Sequence, residues 1–246
     1  MRGQEPTGVF ALRKMPSDLL VLGFIEYIVF LFSTTCHEAA HSLIAKIGGD
    51  TTAAEGGQVS LNPLPHIRRE VFGMVIMPLL GILTQTGLIG WASAPYDPTW
   101  SREHPKRAAW MSLAGPAANF SLALLAAIAM RIGLAGGVFV PVEPSYTAIV
   151  ATPQPGGVLE GVAVVLSICF SLNLLLGCFN LLPFPPLDGY GVLGLFTTRN
   201  GAVWLQDFRL RIGAFSLIGL ILGWRLIDAV YGPVFVAGLR VLYAGR

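Results

Sequence analysis

Long apolar runs constrain the fold of this 246-residue chain more than any other feature of its sequence. Five such runs cover residues 19–47, 71–92, 108–132, 159–182 and 208–224. The hydrocarbon core of a bilayer is about 30 Å thick and is crossed by roughly 20 helical residues. Only 12% of the residues are charged, about half the share of a typical soluble domain. These features predict an all-α polytopic membrane protein with about four membrane-spanning helices.

The sequence outside these runs indicates a single membrane-embedded domain. Residues 1–17 are polar and predict a loose N-terminal tail. Residues 18–246 predict one domain, with a core at 18–190 and C-terminal helices within 208–243. The net charge of +2 is too small to indicate a nucleic-acid partner. The three cysteines all lie in apolar runs, so we expect no disulfide framework.

Local breaks divide the chain between its apolar runs. Residues 190–207 predict a loop, and Gly232-Pro233 predict an interruption before a short final helix. The turn-forming residues near 57–62 predict a short strand or a loop. No small-residue cleavage site follows the first apolar run, so we expect no cleavable signal peptide.

A metal-binding pattern lies near the end of the first apolar run. His37 and His41 are one helical turn apart, so both imidazoles lie on one face and can bind the same metal ion. Glu38 lies beside them, where a carboxylate can take a proton from a metal-bound water. The alternative is a pair of packed histidines with an unrelated acid. Ionisable groups are costly within a membrane and usually functional there, which favours the metal site.

A second carboxylate follows the fourth apolar run. Prolines at positions 183, 185 and 186 end the helix and force an extended segment before Asp188. A stiff arm of this kind suits the presentation of one carboxylate to a metal. The alternative is a simple helix stop followed by an Asp-Gly turn.

Four further polar residues are candidates for the same site. Glu26 lies about 20° from the first motif histidine around the helix. It either faces the same water-filled cavity or is a protonated or hydrogen-bonded acid in the core. His66 lies in a polar loop and could contact the site. Asn119 places an amide in an apolar run, where it either bonds a neighbouring helix or holds substrate. Asn180 is seven residues after Asn173, so the two share a face of the fourth run.

Three motifs carry a resemblance to a known family. In chain order they are His37-Glu38-x-x-His41, Gly115-Pro116-x-x-Asn119 and Asn180-Leu181-Leu182-Pro183-x-Pro185-x-Leu187-Asp188-Gly189. Together they resemble the site-2 proteases, which are intramembrane zinc metalloproteases. The resemblance implies one Zn²⁺ ion held by His37, His41 and Asp188, with Glu38 as the general base. It also implies that Asn119 helps bind the substrate backbone or the oxyanion, and Asn180 remains a neighbour of the site.

The resemblance covers roughly residues 30–200. It includes the loop at 57–66, which is similar to the loop after the metal motif in small bacterial and archaeal members. It implies a hydrolase that cleaves transmembrane segments of membrane-protein substrates within a prokaryotic plasma membrane. We expect a small member, because neither a PDZ domain between the motifs nor a nucleotide-sensing domain after them is recognisable. The sequence predicts neither the substrate nor the oligomeric state.

A shared metal also constrains the topology. His37 and Asp188 each lie at the C-terminal end of an apolar run, so those two runs must leave the membrane on one side. Three runs lie between them, so one should not cross. The broken run at 71–92 is the candidate, and we predict a re-entrant hairpin or a partly inserted segment. This arrangement places nine Lys and Arg residues on the active-site side, which predicts that this side is cytoplasmic.

Two other functions fit parts of the sequence. Intramembrane histidines and carboxylates also mark ion pathways, so a divalent-metal carrier is an alternative. A carrier needs exchangeable ligands and access from two faces, whereas a stiff Asp188 arm favours a fixed site. The second alternative is an inactive relative that acts as a scaffold or chaperone.

Overall fold

The computed structural model describes residues 16–245. The predicted polar tail at 1–17 therefore lies outside the described residues, except for its last two positions, which begin the first helix. Helix α1 (Pro16–Ile47) starts with a proline, whose fixed φ and missing N–H suit the first helical turn. Beyond its end, Gly49 adopts a φ of 101°, a conformation that glycine accepts without strain.

Four long apolar helices form the body of the protein. They are α1, α6 (Pro105–Ala135), α7 (Val158–Asn180) and α10 (Ser216–Tyr243). Among the described residues these four are long and apolar enough to cross a membrane. Even α7, with 23 residues, extends about 34 Å at the α-helical rise, which exceeds the hydrocarbon thickness. The predicted class, an all-α polytopic membrane protein with four spanning helices, is confirmed.

Short elements connect these helices. The short α-helices are α2 (Thr52–Glu55), α3 (Pro63–Arg69), α4 (Met77–Thr84), α5 (Pro98–Glu103), α8 (Asp188–Val192) and α9 (Arg199–Ile212). A π-helical turn (Phe72–Ile76) precedes α4, and two 3₁₀ turns (Leu193–Leu195 and Gly213–Phe215) flank α9. Between α6 and α7, the short strands β1 (Val140–Pro141) and β2 (Val150–Ala151) form an antiparallel pair. This small hairpin was not predicted, because its Gly- and Pro-rich surroundings resemble a plain loop.

The segment at 71–92 folds back on itself instead of crossing. Its helical part, Phe72–Thr84, is too short to span about 30 Å of hydrocarbon. The chain reverses at Gln85 and Gly87, which have φ values of 58° and 94°. It then returns as an extended segment, in which the Trp91 N–H donates to the Gly73 carbonyl at 3.1 Å. The re-entrant shape predicted for this segment is confirmed, and we call it the hairpin segment below.

Two local predictions are wrong, and for a third the structure decides between the two predicted alternatives. The predicted loop at 190–207 is wrong, because α8, a 3₁₀ turn and α9 occupy most of it. The predicted interruption at Gly232-Pro233 is also wrong, because α10 continues through Pro233. Prolines are tolerated inside membrane-spanning helices when neighbouring groups satisfy the freed backbone. Near 57–62 the structure contains a loop and no strand.

Helix α7 lies at the centre of the bundle. A cluster that includes Ala163, Phe170 and Leu174 packs it against α6 and α10, and a second cluster that includes Ile168 and Leu172 packs it against α1. In the most apolar stretch of α7, 56% of the residues are buried, whereas 11% are buried in that of α10. Many large apolar side chains on the outer faces of the other three long helices are exposed, which fits contact with lipid.

Two arginines fix the direction of α6 relative to its neighbours. Arg107 donates to the Gly48 carbonyl at 3.0 Å, so the start of α6 lies beside the end of α1. Arg131 donates to the carbonyls of Val241 and Leu242, each at 2.9 Å, so the end of α6 lies beside the end of α10. An arginine at a helix C-terminus satisfies carbonyls that lack helical partners. The C-terminal ends of α1 and α10 therefore lie at opposite ends of the bundle, as the predicted topology requires.

Candidate metal centre

The two motif histidines face each other on the buried side of α1. Their Nε2 atoms are 2.9 Å apart, and their rings meet edge to face with centroids 4.6 Å apart. His37 is 7% exposed and His41 is 5% exposed. The one-turn spacing of the motif therefore produces a single pair of nitrogen atoms, as the sequence predicts.

Asp188 reaches the same point from the other side of the bundle. Its Oδ2 lies 3.1 Å from Nε2 of His37 and 3.2 Å from Nε2 of His41. The arm that carries it bends onto the end of α7, and an added Cβ at Gly189 would overlap the Leu181 carbonyl. Glycine is thus required for the close approach of arm and helix.

The environment of Asp188 favours the carboxylate. Burial raises the pKa of this carboxyl, but the positive charge that the adjacent His41 carries when it is protonated outweighs burial and holds the pKa well below its usual range. Asp188 therefore presents a charged carboxylate oxygen to the two imidazoles at neutral pH.

Hydrogen bonds fix the orientation of both imidazoles. Nδ1 of His37 lies 2.6 Å from Oδ1 of Asn119, and Nδ1 of His41 lies 2.7 Å from the carbonyl of Met111. A carbonyl oxygen only accepts, so Nδ1 of His41 donates to it. Pro116 lies on the same helix and lacks an N–H, so the carbonyl it leaves without a helical partner is that of Ser112, one residue after Met111. In a neutral imidazole held this way, the lone pair is on Nε2 and points into the centre.

The arrangement fits a tetrahedral Zn²⁺ ion. A tetrahedral zinc with bonds of about 2.0–2.2 Å holds its ligand atoms about 3.3 Å apart, and the three ligand atoms here are separated by 2.9, 3.1 and 3.2 Å. Three electron-rich atoms this close repel one another unless a proton or a metal cation lies between them. Gly115 leaves the necessary space, because a Cβ there would overlap Nε2 of both histidines.

Glu38 completes the group without being needed as a ligand. It is 4% exposed, and its potential ligand atom lies within 4.8 Å of those of His37 and His41. Its Oε2 is buried and makes no hydrogen bond to any residue in the described part of the chain. A buried carboxylate oxygen without a partner requires water or an ion nearby. This free oxygen is suited to exchange a proton with a group bound at the centre.

A cavity of about 900 Å³ opens onto these residues. Its walls come from the returning chain of the hairpin segment, from α9 and from α10, and the four motif side chains lie at its surface. Cavities of this size accommodate ligands of several hundred daltons or an extended stretch of peptide. The cavity therefore gives a bound molecule access to the metal centre.

The other predicted site residues have different environments. Asn180 lines the cavity, with its Nδ2 donating to the Leu176 carbonyl at 3.0 Å. Asn119 is fully buried behind His37 and does not line the cavity. His66 is buried outside the cavity, with Nε2 3.0 Å from the Ser60 carbonyl. Glu26 is half-buried on α1 and also lies outside the cavity lining.

Sequence reasoning missed three contributors to the site. Gly115 enters the sequence analysis only as part of the second motif, yet it borders the two motif histidines directly. The Met111 carbonyl, a backbone group, has no signal in the sequence. Asn173 was noted for its spacing from Asn180, but it faces Asn119, with the amide nitrogen of Asn119 2.9 Å from its Oδ1.

A His-Glu-x-x-His helix, joined by a distant carboxylate beside a cavity among membrane-spanning helices, defines the site of a membrane-embedded metallopeptidase. The sequence of this protein matches Peptidase family M50 over residues 25–220. The chain belongs to this family, the site-2 protease family.

The names of similar curated proteins agree with this family membership. YwhC of Bacillus subtilis (strain 168), named as an inferred zinc metalloprotease, is 31% identical over 175 residues, which cover 70% of this chain and 69% of YwhC. Rip2 of Mycolicibacterium smegmatis, named in the same way, is 32% identical over 67% of this chain. Rip2 of Mycobacterium tuberculosis (strain ATCC 25618 / H37Rv) is 33% identical over 67% of this chain. The matched part spans 54% of either Rip2 protein, about half its length. No solved structure matches the chain.

Proposed function

We propose that this protein is an intramembrane zinc endopeptidase that hydrolyses peptide bonds in or near the transmembrane segments of membrane proteins. The observation that carries the proposal is the convergence of His37, His41 and Asp188 within 2.9–3.2 Å, next to an unpartnered oxygen of Glu38. The family and its relatives support zinc as the metal.

One Zn²⁺ ion would be held by His37, His41 and Asp188. When bound, it supplies Lewis acidity that polarises a peptide carbonyl and brings the pKa of a coordinated water near 7. Glu38 accepts the proton of the attacking water at its free oxygen and later donates it to the leaving amine. The hydrogen bonds from each Nδ1 keep the two imidazoles oriented during this exchange.

The substrate must present an extended peptide to this centre. A transmembrane helix hides its amides in i to i−4 hydrogen bonds, so it has to unwind locally before attack. We propose that Asn180, which lines the cavity, contacts the unwound backbone. Asn119 is less suited to that role, because it is fully buried and its amide is engaged at both ends. We assign His66 and Glu26 no direct part in the reaction.

We also propose that the protein lies in the plasma membrane of a prokaryote, with the metal centre toward the cytoplasm. In the described part of the chain, nine Lys and Arg residues flank the helix ends on the metal side: Lys46, Arg68, Arg69, Arg102, Lys106, Arg107, Arg199, Arg209 and Arg211. Arg131 and Arg240 flank the helix ends on the opposite side. Positive charge accumulates on the cytoplasmic side of membrane proteins, which supports this orientation.

The experiment is cleavage of a single-span membrane protein by the purified full chain, with zinc content measured on the same sample. Glu38→Gln is the matched control, because it removes the base and leaves all three ligands. We expect the variant to retain zinc and to lose at least about 100-fold in cleavage rate, the scale of general-base catalysis. Unchanged cleavage by Glu38→Gln contradicts the proposal. Zinc uptake into vesicles without any proteolysis would instead support a metal carrier.

A further inference from the structure

A chain of buried side-chain amides lies behind the metal centre. Asn119 connects to His37 through Oδ1 at 2.6 Å and to Asn173 through Nδ2 at 2.9 Å. Asn173 in turn donates through Nδ2 to the hydroxyl of Ser33 and to the carbonyl of Cys169, each at 2.9 Å. Asn119, Asn173 and Ser33 are each 0% exposed, so solvent does not compete for these bonds. The chain joins three membrane-spanning helices, α1, α6 and α7.

The direction of every hydrogen bond in this chain follows from one backbone carbonyl. The carbonyl of Cys169 only accepts, so the Asn173 amide must turn its NH₂ group toward it and its Oδ1 toward Asn119. Asn119 must then turn its NH₂ group to Asn173 and its Oδ1 to the imidazole. Nδ1 of His37 is left to donate, which leaves the lone pair of the neutral ring on Nε2.

We propose that Asn173 is a positioning residue for the metal: through Asn119 it fixes the tautomer and orientation in which His37 presents Nε2. Asn173 touches neither the ligand nitrogen nor the cavity, and its effect passes through Asn119. The fixed carbonyl of Met111 orients His41 in the same way, by accepting a hydrogen bond from its Nδ1. His37 has a side-chain amide in that place, and an amide can rotate, so it needs a second residue to hold it. This inference rests on the metal site of the proposed function.

Two substitutions test whether Asn173 acts on His37 through Asn119. Asn173→Leu keeps the number and branching of the side-chain heavy atoms but removes the oxygen that holds Asn119. Asn119→Leu removes the acceptor for His37 itself. Loss of a group that orients a metal-ligating histidine weakens metal binding by about 10–100-fold. Because Asn173 acts only through Asn119, Asn173→Leu should add nothing once Asn119→Leu is present.

The test is the zinc dissociation constant of the full-length protein in detergent, measured by competition with a chromophoric chelator and without any peptide. We expect about 10-fold weaker binding for Asn173→Leu, about 10–100-fold for Asn119→Leu, and no further loss in the double variant than in Asn119→Leu alone. The absorption spectrum of bound Co²⁺ should change in the same variants, because it reports ligand orientation. The matched control is Ser167→Ala, which also removes a fully buried polar group from α7, since the Ser167 hydroxyl bonds only the Ala163 carbonyl and the N–H groups of Ile149 and Val150 among the contacts described. It should keep wild-type zinc affinity.

Folding is controlled separately. Asn173→Ala removes the amide without placing a branched side chain among three helices, and the melting temperature of each metal-free variant is measured. Wild-type affinity in a folded Asn173→Ala or Asn173→Leu protein overturns the proposal. Losses that add up in the double variant overturn it as well, because they indicate a packing defect independent of Asn119. A wild-type protein that binds zinc and cleaves nothing contradicts the proposed function and leaves this test decisive.

Discussion

Oδ2 of Asp188 lies 3.1 Å from Nε2 of His37, although 151 residues separate them in the chain. The contact requires α1 and α7 to end at the same end of the bundle. That condition holds because α6 returns the chain and the hairpin segment does not cross. The proposed metal centre is therefore a property of the whole bundle, whereas the His-Glu-x-x-His helix alone supplies two of its three proposed ligands.

The first prediction concerns the third ligand. Asp188→Asn removes the negative charge that faces both imidazoles while keeping the size of the side chain. We expect zinc affinity to fall by at least about 100-fold, because loss of a ligand should exceed the 10–100-fold cost of losing a group that orients one. Asp207→Asn is the matched control, since this acid pairs with Arg102 near the surface at 3.3 Å. Full zinc occupancy in Asp188→Asn at nanomolar zinc would remove this residue from the site.

The second prediction concerns the space for the ion. An added methyl group at position 115 would overlap Nε2 of both histidines. Gly115→Ala should therefore abolish zinc binding while the helix that carries it remains formed. In Gly161→Ala the added carbon meets no atom within 4 Å, so this variant should bind zinc normally. The measurement is zinc content per chain, and normal content in Gly115→Ala would show that the space is not needed.

The third prediction concerns how α10 supports the Asp188 arm. A Cβ at Gly219 would overlap the carbonyl of Pro185, and one at Gly223 would lie 3.2 Å from Leu187. Two glycines four residues apart let helices and backbone approach closely in membranes. Gly219→Ala should lower the free energy of unfolding by about 1–3 kcal/mol, the usual cost of overpacking, and should weaken zinc binding by displacing the arm. Gly232→Ala is the control, because its added carbon meets nothing within 4 Å. Equal stability and zinc affinity in the two variants would contradict the role of α10.

The fourth prediction concerns pH and the loop after α1. The carboxylate of Asp50 accepts hydrogen bonds from Thr52, at 2.6 Å and 2.9 Å, and from the Asp97 N–H at 2.8 Å. Burial raises the pKa of Asp50, but these bonds outweigh burial and lower it from 3.8. A carboxyl with a depressed pKa in the folded state stabilises the fold above its unfolded pKa, about 3.9, and this contribution is lost as the pH falls through the folded value. Asp50→Asn should melt below wild type near pH 7, and the difference should shrink below about pH 4. A difference in melting temperature that stays constant with pH would refute the assignment.

Much of this fold was predictable because membrane insertion depends on the length of apolar runs. The four spanning helices and the hairpin segment followed from run length, glycine content and the shared metal. Helix α9 was missed because its apolar residues, such as Trp204 and Phe208, alternate with charged ones, so mean hydropathy resembles that of a loop. The continuity of α10 through Pro233 was missed because proline ends helices in water but is tolerated in a membrane.

The site was predictable to a different degree. The metal motif and the Asp188 arm are local sequence patterns, and the structure brings their side chains together. The role of Asn119 depends on which helix its amide faces, and nothing in the local sequence determines that. Its contacts with His37 and Asn173 come from the packing of α6 between α1 and α7.

The most direct test of the account is zinc K-edge X-ray absorption on the purified full chain. We expect about one zinc ion per chain, surrounded by two imidazole nitrogens and oxygen at about 2.0–2.2 Å, with no sulfur ligand. A sulfur scatterer at about 2.3 Å would place Cys36 or another cysteine at the metal and contradict the assigned ligands. A protein without zinc would contradict the account as a whole.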